Sequence, residues 1–148
     1  MPDGTIDNSI VGTIGKGTVL HWKNYEFETG EKKDSFFVVL SNHQYGSFLA
    51  IRPTTQTEYY ERSPRMTREF VLIEKNTEVA LPKKCVLDFA HIRSLNWVQM
   101  RDAWGGELTQ MACSSSDLID RIDKLMQGSK LVQRGWIGWI TASPRMMI

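Results

Sequence analysis

The chain has 148 residues, which is enough for one domain with a hydrophobic core. It is 41% hydrophobic and 24% charged, as in soluble globular proteins, and its formal net charge of +1 excludes a uniformly basic coat. Any contact with nucleic acid must therefore use a local patch. No apolar run approaches the ~20 residues of a membrane span, and no secretory signal is evident at the N-terminus. We expect a cytoplasmic protein without a membrane segment.

The two cysteines, Cys85 and Cys113, are too few for a disulfide framework. Neither stands at the Cys/His spacing of a structural metal site. We expect two reduced, buried thiols and neither a metal nor another cofactor.

Short strands dominate the first two thirds of the chain. Residues 1–15 are polar, and we expect a loose arm there. Runs rich in β-branched and aromatic residues predict strands at 18–27, 36–40, 48–52, 69–73 and 85–95. A charged loop at 31–34 and a polar loop at 56–67 separate some of them. The run at 36–40 is apolar throughout, which favours a strand buried on both faces. Strands this short and closely spaced predict a small barrel.

One amphipathic helix follows the strands. Ser114 to Asp117 supply a cap and an early acid, and Gly128 is a plausible stop. Between them, apolar residues recur with helical period: Leu118, Ile119, Ile122, Leu125 and Met126. The apolar tail, residues 130–148, contains GWIGWI, and we expect it to add a strand or to lie in an interface. The prediction is thus a single-domain, mainly β (α+β) fold: a small twisted barrel with a C-terminal helix.

The first candidate site segment is RPTTQ, residues 52–56. On a strand, Arg52, Thr54 and Gln56 share one face because successive side chains alternate. A guanidinium, a hydroxyl and an amide together can hold a phosphate and a base edge. An edge strand with a solvated polar face is the alternative reading.

The second candidate segment is the strand at 85–95, which Asp88, His91 and Arg93 interrupt. A buried aspartate is costly unless paired, and an imidazole suits acid or base chemistry. Strict alternation places Asp88 on the opposite face from His91 and Arg93, so one shared site requires a bulge or a strand end. The alternatives are a structural salt bridge from Asp88 to Arg93 or Arg52 and a satisfied histidine.

Further polar residues flank these segments. Lys32 and Lys33 in the charged loop and Thr55 are candidate phosphate or substrate contacts. The pair Tyr59-Tyr60 lies close to Arg62, Arg65 and Arg68 and fits a loop that stacks bases, or a mobile surface loop. His21 is expected to be structural, and His43, in a turn, to be exposed.

Four segments, taken in order, carry a resemblance. They are Gly30–Lys33 followed by FFVVLSN, AIRPTTQ at 50–56, KKCVLDFAHIRSLN at 83–96, and GELT at 106–109. Together they resemble the MazF/PemK family of plasmid-maintenance and chromosomal toxins over roughly residues 17–127. The resemblance implies a twisted SH3-like barrel, a homodimer and sequence-selective, metal-independent cleavage of single-stranded RNA. It also implies an antitoxin whose extended tail covers the RNA groove.

Two positions depart from the family pattern. The family loop usually ends in Arg-Pro, where this chain has Ser35-Phe36, and Ala90-His91 stands where members often have Asp-Gln. We hypothesise that Arg52 replaces the missing cation, and that Asp88 serves as the acid if the register slips by two residues.

The resulting hypothesis is a toxin-like endoribonuclease that acts by 2′-hydroxyl attack. In it, Arg52 and Lys33 hold phosphate, Thr54 donates to the oxyanion, and Gln56 reads a base edge. Asp88 and His91 are the acid and base, and Lys32, Thr55 and Arg93 help to bind substrate. The alternative is a non-catalytic barrel that binds a peptide, nucleic acid or another enzyme such as gyrase.

Overall fold

The computed structural model describes residues 14–62 and 69–145. The strands are β1 (Val19–Glu26), β2 (Lys32–Val39), β3 (Ser47–Ile51), β4 (Phe70–Ile73), β5 (Cys85–Asp88), β6 (Ile92–Asn96) and β7 (Leu108–Gln110). The helices are α1 (Glu58–Glu61), α2 (Trp97–Ala103), α3 (Ser116–Gln127) and α4 (Arg134–Ala142), with a 3₁₀ turn at Phe89–His91.

The strands form two antiparallel sheets. One has five strands in the order β6-β3-β2-β1-β7, and the other pairs β4 with β5. Thr54, just beyond β3, joins them by exchanging two 2.9 Å backbone hydrogen bonds with Val86 on β5. The predicted mainly β, α+β fold is confirmed. The barrel is not closed, because β6 and β7 remain the two edges of the five-stranded sheet.

The central strands bury both of their faces, as the apolar run at 36–40 predicted. One face of β2 and β3, which carries Val38, Leu49 and Ile51, packs with α3 and α4. The other face, which carries Phe37 and Ala50, packs with the aromatic side chains of β1 and with α2. Each fully buried large side chain contributes about 1.5–3 kcal/mol, so β2 and β3 are the centre of the fold.

The predicted strand at 85–95 is two strands separated by the 3₁₀ turn. Asp88 ends β5, and its carboxylate caps the turn by accepting a 3.0 Å hydrogen bond from the Ala90 amide. This cap bends the chain between β5 and β6, so the alternation that separated Asp88 from His91 and Arg93 does not apply.

The structure also differs from the charged loop that was predicted at 31–34. Its last three residues belong to β2, where Lys32 and Lys33 pair with Glu26 and Tyr25. They extend the ribbon of β1 and β2 past the core, where charged side chains can point to water. The polar loop at 56–67 contains α1. Residues 63–68, which include Arg65 and Arg68, lie outside the described part of the chain.

The apolar tail was predicted as a strand or an interface segment, and within the described residues it forms α4. In GWIGWI the tryptophans and the isoleucines each recur after three residues, which is a helical spacing. Ile140 is buried, Trp139 donates its indole N–H to the Asn42 carbonyl at 2.9 Å, and α4 packs on α3.

The helix at 116–127 is confirmed, with its cap at Ser115 and its end at Gly128. Helix α2 was not predicted. Of the predicted arm at 1–15, residues 1–13 lie outside the described part, and Ile14 is buried rather than loose.

Candidate active site

A cavity of about 890 Å³ lies where the two sheets meet. It contains eight of the nine predicted site residues, namely Lys33, Arg52, Thr54, Thr55, Gln56, Asp88, His91 and Arg93. Lys32 is the exception, because it is exposed and its ammonium faces Glu26 at 3.9 Å. The two candidate segments therefore converge on one concave surface.

Strand pairing explains this convergence. β3 and β6 are antiparallel neighbours in which Ala50 lies opposite Arg93. Arg52 follows Ala50 by two residues, so both arginines belong to the same face. The bridge between Thr54 and Val86 then places RPTTQ beside β5, two residues before Asp88.

Asp88 is a buried carboxylate with several partners. Its Oδ2 accepts a 2.6 Å hydrogen bond from the Tyr60 hydroxyl, while its Oδ1 accepts the bond from Ala90. The Nε2 of His91 lies 3.8 Å from Oδ2, and the His91 side chain is 74% exposed, against 4% for Asp88. The predicted salt bridge from Asp88 to Arg52 or Arg93 is not among the ion pairs of the described residues. The carboxylate instead holds the 3₁₀ turn and faces the imidazole at the mouth of the cavity.

Arg52 and Arg93 are both held against Phe27. The guanidinium carbon of Arg52 lies 5.1 Å from the centre of that ring, and that of Arg93 lies 5.0 Å from it. Arg93 also reaches the Tyr25 hydroxyl and the Glu28 carboxylate, each at 3.4 Å. The Nε of Arg52 is buried without a hydrogen-bond partner, and Arg52 has no ion pair within residues 14–62 and 69–145. Buried donors of this kind favour an anion.

The threonines and the glutamine form one rim of the cavity. Thr54 Oγ1 accepts a 3.2 Å hydrogen bond from the Gln56 amide, so the hydroxyl hydrogen remains available to a ligand. The side chains of Thr55 and Gln56 are exposed beside it. Such a rim can donate hydrogen bonds to a phosphate or a base edge.

The charge of the cavity is positive. Four lysine or arginine side chains line it, against two carboxylates, in a chain whose formal net charge is only +1. Lys33 lies 3.1 Å from Glu31, but both are about half exposed, so this pair is weak. The local patch that an anionic ligand requires is therefore present.

Sequence reasoning missed four contributors: Tyr25, Phe27, Tyr60 in its role as an Asp88 partner, and Lys83. Tyr25 and Phe27 are two residues apart, and this spacing could have indicated that they share a face. No signal in the sequence indicated that this face meets β6.

Of the other titratable residues considered, the two histidines lie outside the cavity and Cys85 lies in its wall. His21 stacks on Phe36 at 4.5 Å, which agrees with a structural role, whereas His43 is half-buried against Phe48 and was wrongly expected to be exposed. Cys85 lies in the cavity wall, where burial, and secondarily the charge of Glu78, raises its thiol pKa to about 11. That thiol is a poor nucleophile near neutral pH.

Within residues 14–62 and 69–145, no group of three or more His, Cys, Asp or Glu side chains is arranged to hold a metal ion. No helix in the same residues is both long enough and apolar enough to cross a membrane. Comparison of the sequence with protein-family models and with curated proteins gives no match.

Proposed function

We propose that the protein is a toxin-like endoribonuclease that cleaves single-stranded RNA by attack of a 2′-hydroxyl, without a metal ion. The observation that supports this most directly is the content of one cavity: a histidine facing a buried aspartate, beside two arginines without a buried carboxylate partner. The resemblance of four segments to the MazF/PemK family supports the same assignment.

In the proposed reaction, neutral His91 takes the proton of the 2′-hydroxyl. The 2′-oxygen bonds to phosphorus, the bond to the 5′-oxygen breaks, and the leaving oxygen takes a proton from water. The hydroxide that remains then takes the proton held by His91. The products are a 2′,3′-cyclic phosphate and a 5′-hydroxyl. Asp88, whose Oδ2 lies 3.8 Å from the Nε2 of His91, faces the imidazole and has a positioning role.

The cations and hydroxyls of the cavity stabilise the negative charge of the phosphorane. Arg52 and Lys33 balance the phosphate charge, and the Thr54 hydroxyl donates to a developing oxyanion. Gln56, at the exposed rim, can read a base edge, and Thr55 and Arg93 hold the neighbouring backbone. Lys32, which is outside the cavity, can contribute only long-range attraction.

The test is cleavage of a single-stranded RNA by purified protein in buffer containing a chelator. We expect the double variant Arg52→Ala, Thr54→Ala to lose about 10²- to 10³-fold in rate, since it removes two donors from the site. The matched control is Arg134→Ala, Thr109→Ala, whose side chains are exposed and outside the cavity. Equal rates for the two double variants would contradict the assigned site.

The resemblance also suggests partners, which we include in the proposal: a second copy of the chain and an antitoxin with an extended tail. Light scattering of the purified protein tests the homodimer. A short acidic protein encoded immediately upstream, which protects cells from growth arrest, would identify the antitoxin.

A non-catalytic binding module is the second candidate, and two observations favour it. Both oxygens of Asp88 already accept structural hydrogen bonds, and the family's loop arginine is replaced by Ser35. Such a protein would bind single-stranded RNA, a peptide or another enzyme such as gyrase in the same cavity. RNA that binds tightly and remains intact after prolonged incubation would decide for this candidate.

A further inference from the structure

Phe27 has the most unusual environment in the cavity. It is half-buried at the end of β1, and two guanidinium groups lie against its ring. The structure thus places two like charges against one ring, and because like charges repel, they need a reason to stay there.

The ring itself supplies part of that reason. The face of an aromatic ring attracts a cation, and the planar guanidinium also stacks on it. Tyr25, two residues earlier on β1, places a second ring 5.7 Å from the Arg93 carbon. The aromatic face of β1 thus orders both arginines before any ligand arrives.

The counter-charge that would offset the repulsion is incomplete. Glu28, which lies 3.4 Å from Arg93, is 82% exposed and can be displaced at little cost. Arg52 has no carboxylate partner in the described residues, and its Nε is buried without an acceptor. Two ordered guanidiniums and one unsatisfied buried donor form a site for anionic oxygens.

We propose that Arg52 and Arg93 form a clamp for the phosphodiester backbone of a single strand, and that Phe27 is the residue that positions both arginines. This proposal deepens the proposed function, because it names how the cavity recognises its substrate. It does not need the chemical step, since a clamp holds a strand whether or not the strand is cut.

The clamp is tested by binding of a short single-stranded DNA, which lacks the 2′-hydroxyl and cannot react by the proposed route. We expect Phe27→Leu to weaken binding by about tenfold, because both arginines must then be ordered on binding. Phe27→Tyr, which keeps the ring, should bind within about twofold of the wild type.

A cycle of variants separates positioning from packing. If Phe27 acts through the arginines, Phe27→Leu should have no further effect on binding when Arg52→Ala and Arg93→Ala are already present. An equal loss in both backgrounds, or wild-type affinity for Phe27→Leu, would overturn the proposal. So would a wild-type protein that does not bind the DNA.

If Phe27→Leu does not fold, the arginine variants still test whether Arg52 and Arg93 form the clamp. Arg52→Gln and Arg93→Gln should each reduce the slope of log Kd against log salt by about 0.7, the value for one phosphate contact on a single strand. Unchanged slopes would overturn the clamp. A wild type that binds the DNA while RNA remains uncut would contradict the nuclease and support the clamp.

Discussion

At the scale of single residues, Asp88 connects the fold with the candidate chemistry. A carboxylate that is 4% exposed is stable only with strong partners, and the Tyr60 hydroxyl and the Ala90 amide are two of them. The same contacts place its second oxygen towards His91. Stability and the proposed activity are therefore linked at this residue.

We expect Asp88→Ala to lower the free energy of unfolding by about 2–4 kcal/mol. The change removes the cap of the 3₁₀ turn and leaves the Tyr60 hydroxyl without this acceptor. Urea denaturation measures the loss, and Asp102→Ala, an exposed aspartate on α2, is the control. A difference below about 0.5 kcal/mol between the two variants would show that Asp88 is not structural.

The buried thiol of Cys85 predicts a pH dependence. Its pKa rises from 9.0 to about 11 in the folded protein, because burial disfavours the thiolate. The folded state therefore holds this proton more tightly than the unfolded state. The stability from this group is complete below about pH 9 and is lost as the pH rises towards 11.

The measurement is the free energy of unfolding between pH 8 and pH 11.5 for the wild type and for Cys85→Ala. The wild type should lose about 2–3 kcal/mol more than the variant across this range. Parallel curves would contradict the assigned cause, since the other titrating groups are common to both proteins.

At the scale of elements, the strands were predictable and the breaks between them were only partly so. β-branched and aromatic runs indicated β1, β3 and β4 to within two residues, because those strands are apolar on at least one face. The break after Asp88 depends on a side chain that folds back on its own backbone, a local choice that hydrophobic period does not report. The same reason explains the missed helix α2.

Helix α2 begins at such a side chain. Asn96 Oδ1 accepts hydrogen bonds from the amides of Val98 and Gln99, at 2.8 and 3.2 Å. We expect Asn96→Ala to cost about 1 kcal/mol in thermal or urea unfolding, while Asn96→Asp, which keeps the acceptor, should cost much less. A similar loss for both variants would mean that the side chain acts through strand β6 instead.

The candidate site, like the strands, was predictable from the sequence only in part. RPTTQ was assigned from alternation, and Arg52 and Thr54 do line one cavity. The role of Phe27 and the presence of Lys83 depend on which strands become neighbours, and the order β6-β3-β2-β1 is a tertiary fact. The sequence pattern shows which side chains share a face of a strand. It does not show which other strand that face will contact.

At the scale of the whole molecule, Lys16 links the start of β1 to both C-terminal helices. Its ammonium lies 2.6 Å from Asp123 of α3 and donates to the Ile140 carbonyl of α4 at 2.9 Å, although the side chain is 3% exposed. Arg145 also approaches Asp123, at 3.5 Å. One buried cation thus fixes α3 and α4 to the segment that precedes β1.

We expect Lys16→Met to destabilise the protein by about 3 kcal/mol, because the Ile140 carbonyl then loses this donor and Asp123 keeps only the 3.5 Å contact with Arg145. Adding Asp123→Leu should recover part of the loss, since the poorly compensated carboxylate is then removed. Hydrogen exchange of the Lys16→Met variant should show that the amides of α4 lose protection before those of the other helices and strands. The control is Lys124→Met, an exposed position next to Asp123 on α3. An equal effect there would contradict a special role for Lys16.

The backbone exchange between Thr54 and Val86 has a mechanical consequence. It ties the two sheets together beside the cavity, which Thr54 lines, so a movement of one sheet relative to the other changes the width of the cavity. A molecule bound across the cavity would contact both sheets and oppose their relative movement. Its arrival should slow deuterium uptake at both of these amides together, even though neither amide needs to touch it.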